Sequence, residues 1–126
     1  YAYGDLIVSG TGLSLVHQFL TGDKKTPAEI APQLTQSSTT PQWFSRFYAR
    51  VCRHYALSVL ASRGVYIAGG VAAKNPVLVQ HPAFLEEFHN SPTQRNILEK
   101  IPVFLNQNED SGLFGAAFYG VLQTRT

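Results

Sequence analysis

The sequence holds 126 residues, 44% of them hydrophobic and 14% charged, with 10 Lys or Arg against 8 Asp or Glu. That length fits one domain with a core of its own, and a formal net charge of +2 spread along the chain argues against a nucleic-acid binder. No apolar run approaches the ~20 residues that cross a bilayer, no secretory leader pattern opens the chain, and the single cysteine, Cys52, has no internal disulfide partner. The sequence contains no methionine and opens on Tyr1, so we expect a piece of a longer protein.

Asp5 to Val8 is short and apolar, and Ser9-Gly10-Thr11-Gly12 leads from it into a helical pattern. Ser9 is suited to cap that helix, and Leu13, Val16 and Leu20 mark one face of it up to Thr21-Gly22. Gly10-Thr11-Gly12 opens like a dinucleotide fingerprint. Leu15 stands where the third glycine belongs, however, and no acidic residue follows at the required distance, so a Rossmann reading is set aside.

Residues 22–40 read as a polar surface excursion in which Thr26-Pro27-Ala28-Glu29 resembles the first turn of a short helix. Thr40 as cap and Pro41 at the first helical position then predict the longest helix. Its apolar residues fall in pairs at 43/44, 47/48, 51/52, 55/56 and 59/60, a seam expected to face the core. Arg46, Arg50 and Arg53 share a face of this helix and are open to two readings, a phosphate or partner patch and an ordinary solvated face. His54 has no second metal ligand at helical spacing and reads as a surface histidine.

Gly64-Val65-Tyr66-Ile67-Ala68-Gly69-Gly70-Val71 is a short buried strand ending abruptly in a glycine pair. Glycine admits positive φ and lets a ligand approach the backbone, and in open α/β sheets ligands bind beyond the carboxyl ends of strands. The same pair is also explained by a plain turn. Asn75-Pro76, His81-Pro82 and Ser91-Pro92 predict three short helical pieces with sharp corners. Glu86 and Glu87 are adjacent and face different directions, and His81 and His89 have no metal spacing.

Ile101 to Leu105 predicts a second strand, with Pro102 near its start. A polar turn from Asn106 to Asp110 follows, with Asp110 suited to cap the final helix from Ser111. Small residues at 112, 115, 116, 117 and 120 predict close packing of that helix on the sheet or on helix 13–20. The order strand, helices, strand, helix favours a right-handed crossover with parallel strands.

Three segments together resemble the C-terminal part of bacterial-type glucokinase, within the sugar-kinase and actin-like ATPase superfamily. They are Val8-Ser9-Gly10-Thr11-Gly12-Leu13, then Gly64 to Val71, which resembles that superfamily's adenosine motif, and Ile101 to Leu105 followed by Asp110 to Ala117. The resemblance implies an α/β fold, a partial actin-like ATPase (ribonuclease H-like) domain, helix-rich with a small parallel sheet, residues 1–126 forming one fragment of the large domain. It implies phosphoryl transfer from ATP to glucose in cytoplasmic glycolysis, with Mg²⁺ held mainly by the nucleotide and by upstream residues.

By position, Gly69, Gly70, Val71 and Ala72 would lie against the adenosine, and Gly10, Thr11 and Gly12 would offer N–H groups toward the nucleotide. A structural turn capped by Ser9 explains the second set equally well. The family's glycine-rich phosphate loop, its Asn-Asp pair carrying the catalytic base and its sugar-gripping Glu-x-x-His are all expected outside these residues, so no catalytic residue is assigned. With the preceding strands missing, an uncovered sheet edge and apolar surface predict a homodimer or higher assembly, or disorder at the N-terminus. The rival reading is a non-catalytic regulatory or interaction domain with a kinase-like fold, since fold alone does not settle function.

Overall fold

The computed structural model describes residues 4–124. The N-terminal residues 1–3, on which the expectation of terminal disorder falls, lie outside the described residues. Among the described residues nine α-helical segments and two strands follow in chain order: α1 (Gly4–Ile7), α2 (Gly10–Thr21), α3 (Pro27–Ile30), α4 (Thr39–Ser58), β1 (Val65–Ile67), α5 (Gly70–Lys74), α6 (Val77–Gln80), α7 (Pro82–Phe88), α8 (Arg95–Leu98), β2 (Val103–Leu105) and α9 (Ser111–Thr124). The two strands pair in parallel, Val65 against Val103 and Ile67 against Leu105, as the crossover order requires. Helix-rich with a small parallel sheet is therefore the observed class.

Ser9 caps α2 by accepting the Gly12 N–H at 3.1 Å, and the helix ends where Gly22, at φ 80, donates its N–H to Gln18 O. The polar excursion after Gly22 is less open than its composition suggests. Thr26 and Glu29 form a reciprocal capping box at α3, Ile30 is fully buried beside Leu13, and His81 donates its Nε2–H to Gln36 O at 2.9 Å. His81 Nδ1 in turn accepts the Ala83 N–H, so one imidazole starts α7 and ties down residues 34–38.

Helix α4 departs from expectation at its start and along its length. It begins at Thr39 with Ser38 in the cap position, and Thr40 turns inward to meet His17 Nδ1 at 2.9 Å. The hydroxyl that would have capped the helix is thus used in the core. The expected seam of paired residues is only partly buried: Phe44, Cys52 and Ala56 lie inside, while Trp43, Val51, Tyr55, Val59 and Leu60 are exposed. A strict repeat of four drifts by roughly 40° per turn on a helix of 3.6 residues. The face that stays inward is instead Ser45, Ala49, Cys52 and Ala56.

Two core clusters share α4. One gathers Ala49, Cys52 and Ala56 with Ile67, Ala72, Phe84, Phe88, Leu98 and Ile101 beneath one face of the sheet. The other joins Leu13 and Val16 of α2 to Ile30, Phe44 and Leu78. On the opposite sheet face Tyr66 and Phe104 stack at 4.9 Å between ring centroids and remain exposed.

The largest departure is α9. No residue of it is buried, and a methyl group placed on Gly112, Gly115 or Gly120 would meet nothing within 4 Å. The small-residue packing expected of this helix is absent among the described residues: Gly112 to Thr124 are all exposed.

Candidate functional site

The carboxyl ends of β1 and β2 lie side by side, and the ladder continues one step past the strands as Asn106 N–H donates to Ile67 O at 2.8 Å. Beyond β1 the chain passes Ala68 to Gly69, held at φ 112 and ψ 156, and enters α5 at Gly70. An L-residue adopts that conformation only under strain, and a methyl group on Gly69 would meet nothing within 4 Å. Gly69 therefore presents bare backbone to open space at the place where α/β sheets bind ligands, and Gly70 beside it is flanked by Glu109 and Lys74.

Beyond β2 the turn is shaped by its own side chains. Asn106 Oδ1 accepts the Asn108 N–H, Asn108 Oδ1 accepts the Asp110 N–H, and Asn106 Nδ2 donates to Ser111 Oγ at 2.8 Å. Asp110 precedes α9 and its carbonyl takes the Phe114 N–H. This folding carries Glu109 toward α5, where its Oε1 lies 3.4 Å from Lys74 Nζ. Neither Lys74 nor Glu109 was singled out in the sequence, because nothing in their spacing reveals that the two turns meet.

The sequence-derived residues divide. Gly69 and Gly70 are exposed at the turn, Val71 packs partly against the Leu13 cluster, and the Ala72 side chain is 1% exposed in the core. Ala72 therefore has only backbone to offer a ligand.

At the other turn Thr11 is exposed, but Gly10 approaches the Pro27 ring and Gly12 packs on α1. A methyl group on Gly12 would lie 1.8 Å from Ile7 O, and its N–H is already taken by Ser9 Oγ. The geometry here favours the capped structural turn of the two readings left open.

The arginine face of α4 is neither a ligand patch nor simply solvated. Arg46 pairs with Glu86 at 3.3 Å, and Arg50 and Arg53 both pair with Glu87, at 3.0 and 3.2 Å. Arg53 also donates to the carbonyls of Glu87 and Asn90. Adjacent glutamates thus both serve α4.

One stretch does satisfy the Glu-x-x-His pattern that was expected only elsewhere: Glu86-Glu87-Phe88-His89. Its carboxylate is engaged by Arg46 and its imidazole sits edge-on to Phe88 at 5.7 Å, so it belongs to the α4–α7 packing.

An apolar groove of ≈ 720 Å³ is bounded by Ile7, Leu15, Phe19, Trp43 and Phe47, with no ionisable side chain lining it. Cys52 is buried and its thiol is pushed up to about 11 by burial, which makes it a poor nucleophile. Among the described residues no group of three or more His, Cys, Asp or Glu could hold a metal ion, and no helix is long and apolar enough to cross a membrane.

A family model described as Glucokinase matches residues 3–123. The chain belongs to the glucokinase family. Among its relatives, the glucokinase of Nostoc punctiforme is 32% identical over 144 residues, covering 88% of this chain and 42% of the relative. The glucokinase of Neisseria meningitidis serogroup B is 30% identical over 121 residues, covering 87% of this chain and 37% of the relative. That of Agrobacterium fabrum is 30% identical over 90 residues, covering 71% of this chain and 26% of the relative. The chain therefore spans about two-fifths or less of these curated glucokinases. No solved structure matches it.

Proposed function

We propose that this chain is the C-terminal, nucleotide-side portion of a cytoplasmic ATP-dependent glucokinase, which converts ATP and D-glucose to ADP and glucose 6-phosphate. In this reading it is part of the large, actin-like ATPase (ribonuclease H-like) domain. The observation that carries the proposal is the bare glycine pair, Gly69-Gly70, at the carboxyl end of a parallel strand in a chain of this family.

A flat adenosine can lie against Gly69 and Gly70 because no Cβ intervenes. Val71 anchors the turn through its packing on the Leu13 cluster. Transfer to the sugar hydroxyl requires a base, charge neutralisation of the phosphates and in-line positioning. The base and the sugar contacts come from outside these residues, and Mg²⁺ enters with the nucleotide.

Two measurements test the proposal. NMR titration of the 126-residue chain with ATP is expected to shift the amides of Ala68 to Val71, while a coupled assay with glucose is expected to show no turnover. Turnover by this chain, or ATP-induced shifts confined to other regions, would overturn it. The rival reading, a regulatory or interaction domain, draws on the uncovered apolar surface of α9. Sequencing the coding region upstream of Tyr1 separates the two: a phosphate loop and an Asn-Asp pair support the kinase, and a fused DNA-binding segment supports the regulator.

A further inference from the structure

We propose that Glu109, placed by Lys74, recognises the ribose hydroxyls of the bound nucleotide and makes the site select ribonucleotides over deoxyribonucleotides. The inference rests on the nucleotide reading given above.

A methyl group on Gly70 would lie 3.3 Å from Glu109 Oε1 and 3.9 Å from Lys74 Cε, so the carboxylate sits directly over the backbone of the glycine turn. The neighbouring Gly69 faces empty space within 4 Å. A ligand resting on the glycine pair therefore has bare backbone beneath it and a carboxylate at its side.

Of that carboxylate, Oε1 meets Lys74 Nζ at 3.4 Å, while Oε2 has no hydrogen-bond partner among the described residues. An ionised carboxylate only accepts hydrogen bonds, and the neutral donors of a nucleoside that lie beside its base are the vicinal hydroxyls of ribose. A hydroxyl donating to a carboxylate makes one of the shorter and stronger hydrogen bonds available. An acidic side chain near the strand ends performs this task in other open α/β sheets.

The position is favoured from both sides of the site. Asn106 and Asn108 shape the turn that carries Glu109. Lys74, in the last turn of α5, is the positioning residue that draws the carboxylate over Gly70.

The test titrates the 126-residue chain with ATP, 2′-deoxy-ATP and 3′-deoxy-ATP, each against wild type, Glu109→Ala and Lys74→Met. Both side chains are more than half exposed, at 53% and 68%, so neither substitution threatens the fold. The ratio of ribo to deoxy affinity cancels any phosphate contribution. In the wild type that ratio is expected to reach about tenfold for at least one deoxy analogue, the worth of one charge-assisted hydrogen bond. Glu109→Ala is expected to bring it to parity, and Lys74→Met to shrink it several-fold.

A wild type that binds ATP without preference, or a preference that survives Glu109→Ala, overturns the role of Glu109 and leaves the nucleotide reading standing. An unchanged ratio in Lys74→Met overturns the positioning role of Lys74. Failure of all three nucleotides to bind the wild type overturns the nucleotide reading and this inference together.

Discussion

A methyl group on Gly12 would press to 1.8 Å from the Ile7 carbonyl oxygen, whereas one on Gly69 would touch nothing and would have to be borne at φ 112. The first substitution forces α1 off α2, and the second only strains the backbone. Gly12→Ala is therefore expected to destabilise by at least about 2 kcal/mol, through a clash that flexible side chains cannot relieve. Gly69→Ala should cost about 1–3 kcal/mol of conformational strain. Urea unfolding and ATP titration of both variants check this: under the nucleotide reading the binding loss should belong to Gly69→Ala.

Cys52 gives a residue-scale dependence on pH. Burial raises its thiol from an ordinary 9.0 to about 11. Between those values the unfolded chain has released a proton that the folded chain keeps, so the contribution of Cys52 to stability falls as pH rises through that window. Denaturant midpoints measured from pH ~8 to ~10 should fall more steeply for wild type than for Cys52→Ala, which has no thiol to ionise. The thiol should react with disulfide reagents only on unfolding.

At the scale of elements, α4 and α7 are joined as much by charge as by the Phe84 and Phe88 rings. Arg53 and Glu87 are both nearly buried, at 10% and 8% side-chain exposure; removing Arg53 leaves Glu87 paired with Arg50 alone and takes the donor from the Glu87 and Asn90 carbonyls. Arg53→Ala or Arg53→Met is expected to cost about 1–3 kcal/mol, through the carbonyls left without a donor, while Arg46→Ala, whose partner is 72% exposed, should cost less than about 1 kcal/mol. Thermal melts of the three variants check the contrast.

These contacts also show what the sequence can and cannot convey. The cap at Ser9, the short helix opening at Thr26 to Glu29, both strands and the glycine turn after β1 were legible because each depends on residues within a few positions of one another, and the parallel pairing followed from the order of the elements. The Arg53–Glu87 pair and the Lys74–Glu109 pair were not, because they join segments far apart in the chain. The start of α4 was misread for the same reason: Thr40 has a distant partner in His17, and only the tertiary structure reveals the competition for its hydroxyl. Of the candidate site, the backbone half could be read from glycines and the side-chain half could not.

On the scale of the whole molecule, the described residues leave apolar surface exposed at the groove beside Trp43 and Phe47, on the Tyr66–Phe104 face of the sheet and along α9. Leu113, Phe114, Phe118 and Tyr119 are each more than 60% exposed on a helix with no charged residue. Apolar faces of this kind associate. We therefore expect the chain to self-associate with rising concentration, and Phe118→Lys to shift it toward monomer, as measured by light scattering. A wild-type chain that stays monomeric as concentration rises would contradict this expectation.

The parallel register of β1 and β2 also bears on how the chain reaches its fold. A hairpin can close locally, but Val65 finds Val103 only after four helical segments, α5 to α8, have been threaded between them. Closing so long a loop sacrifices chain entropy before any ladder bond repays it. The local turns of α2 and α4 can form early, and the sheet is a late event on the folding route. Substitutions in β2 should then act mainly by hastening unfolding, with little effect on the folding rate. The glycine turn after β1 would take its shape only in the final step.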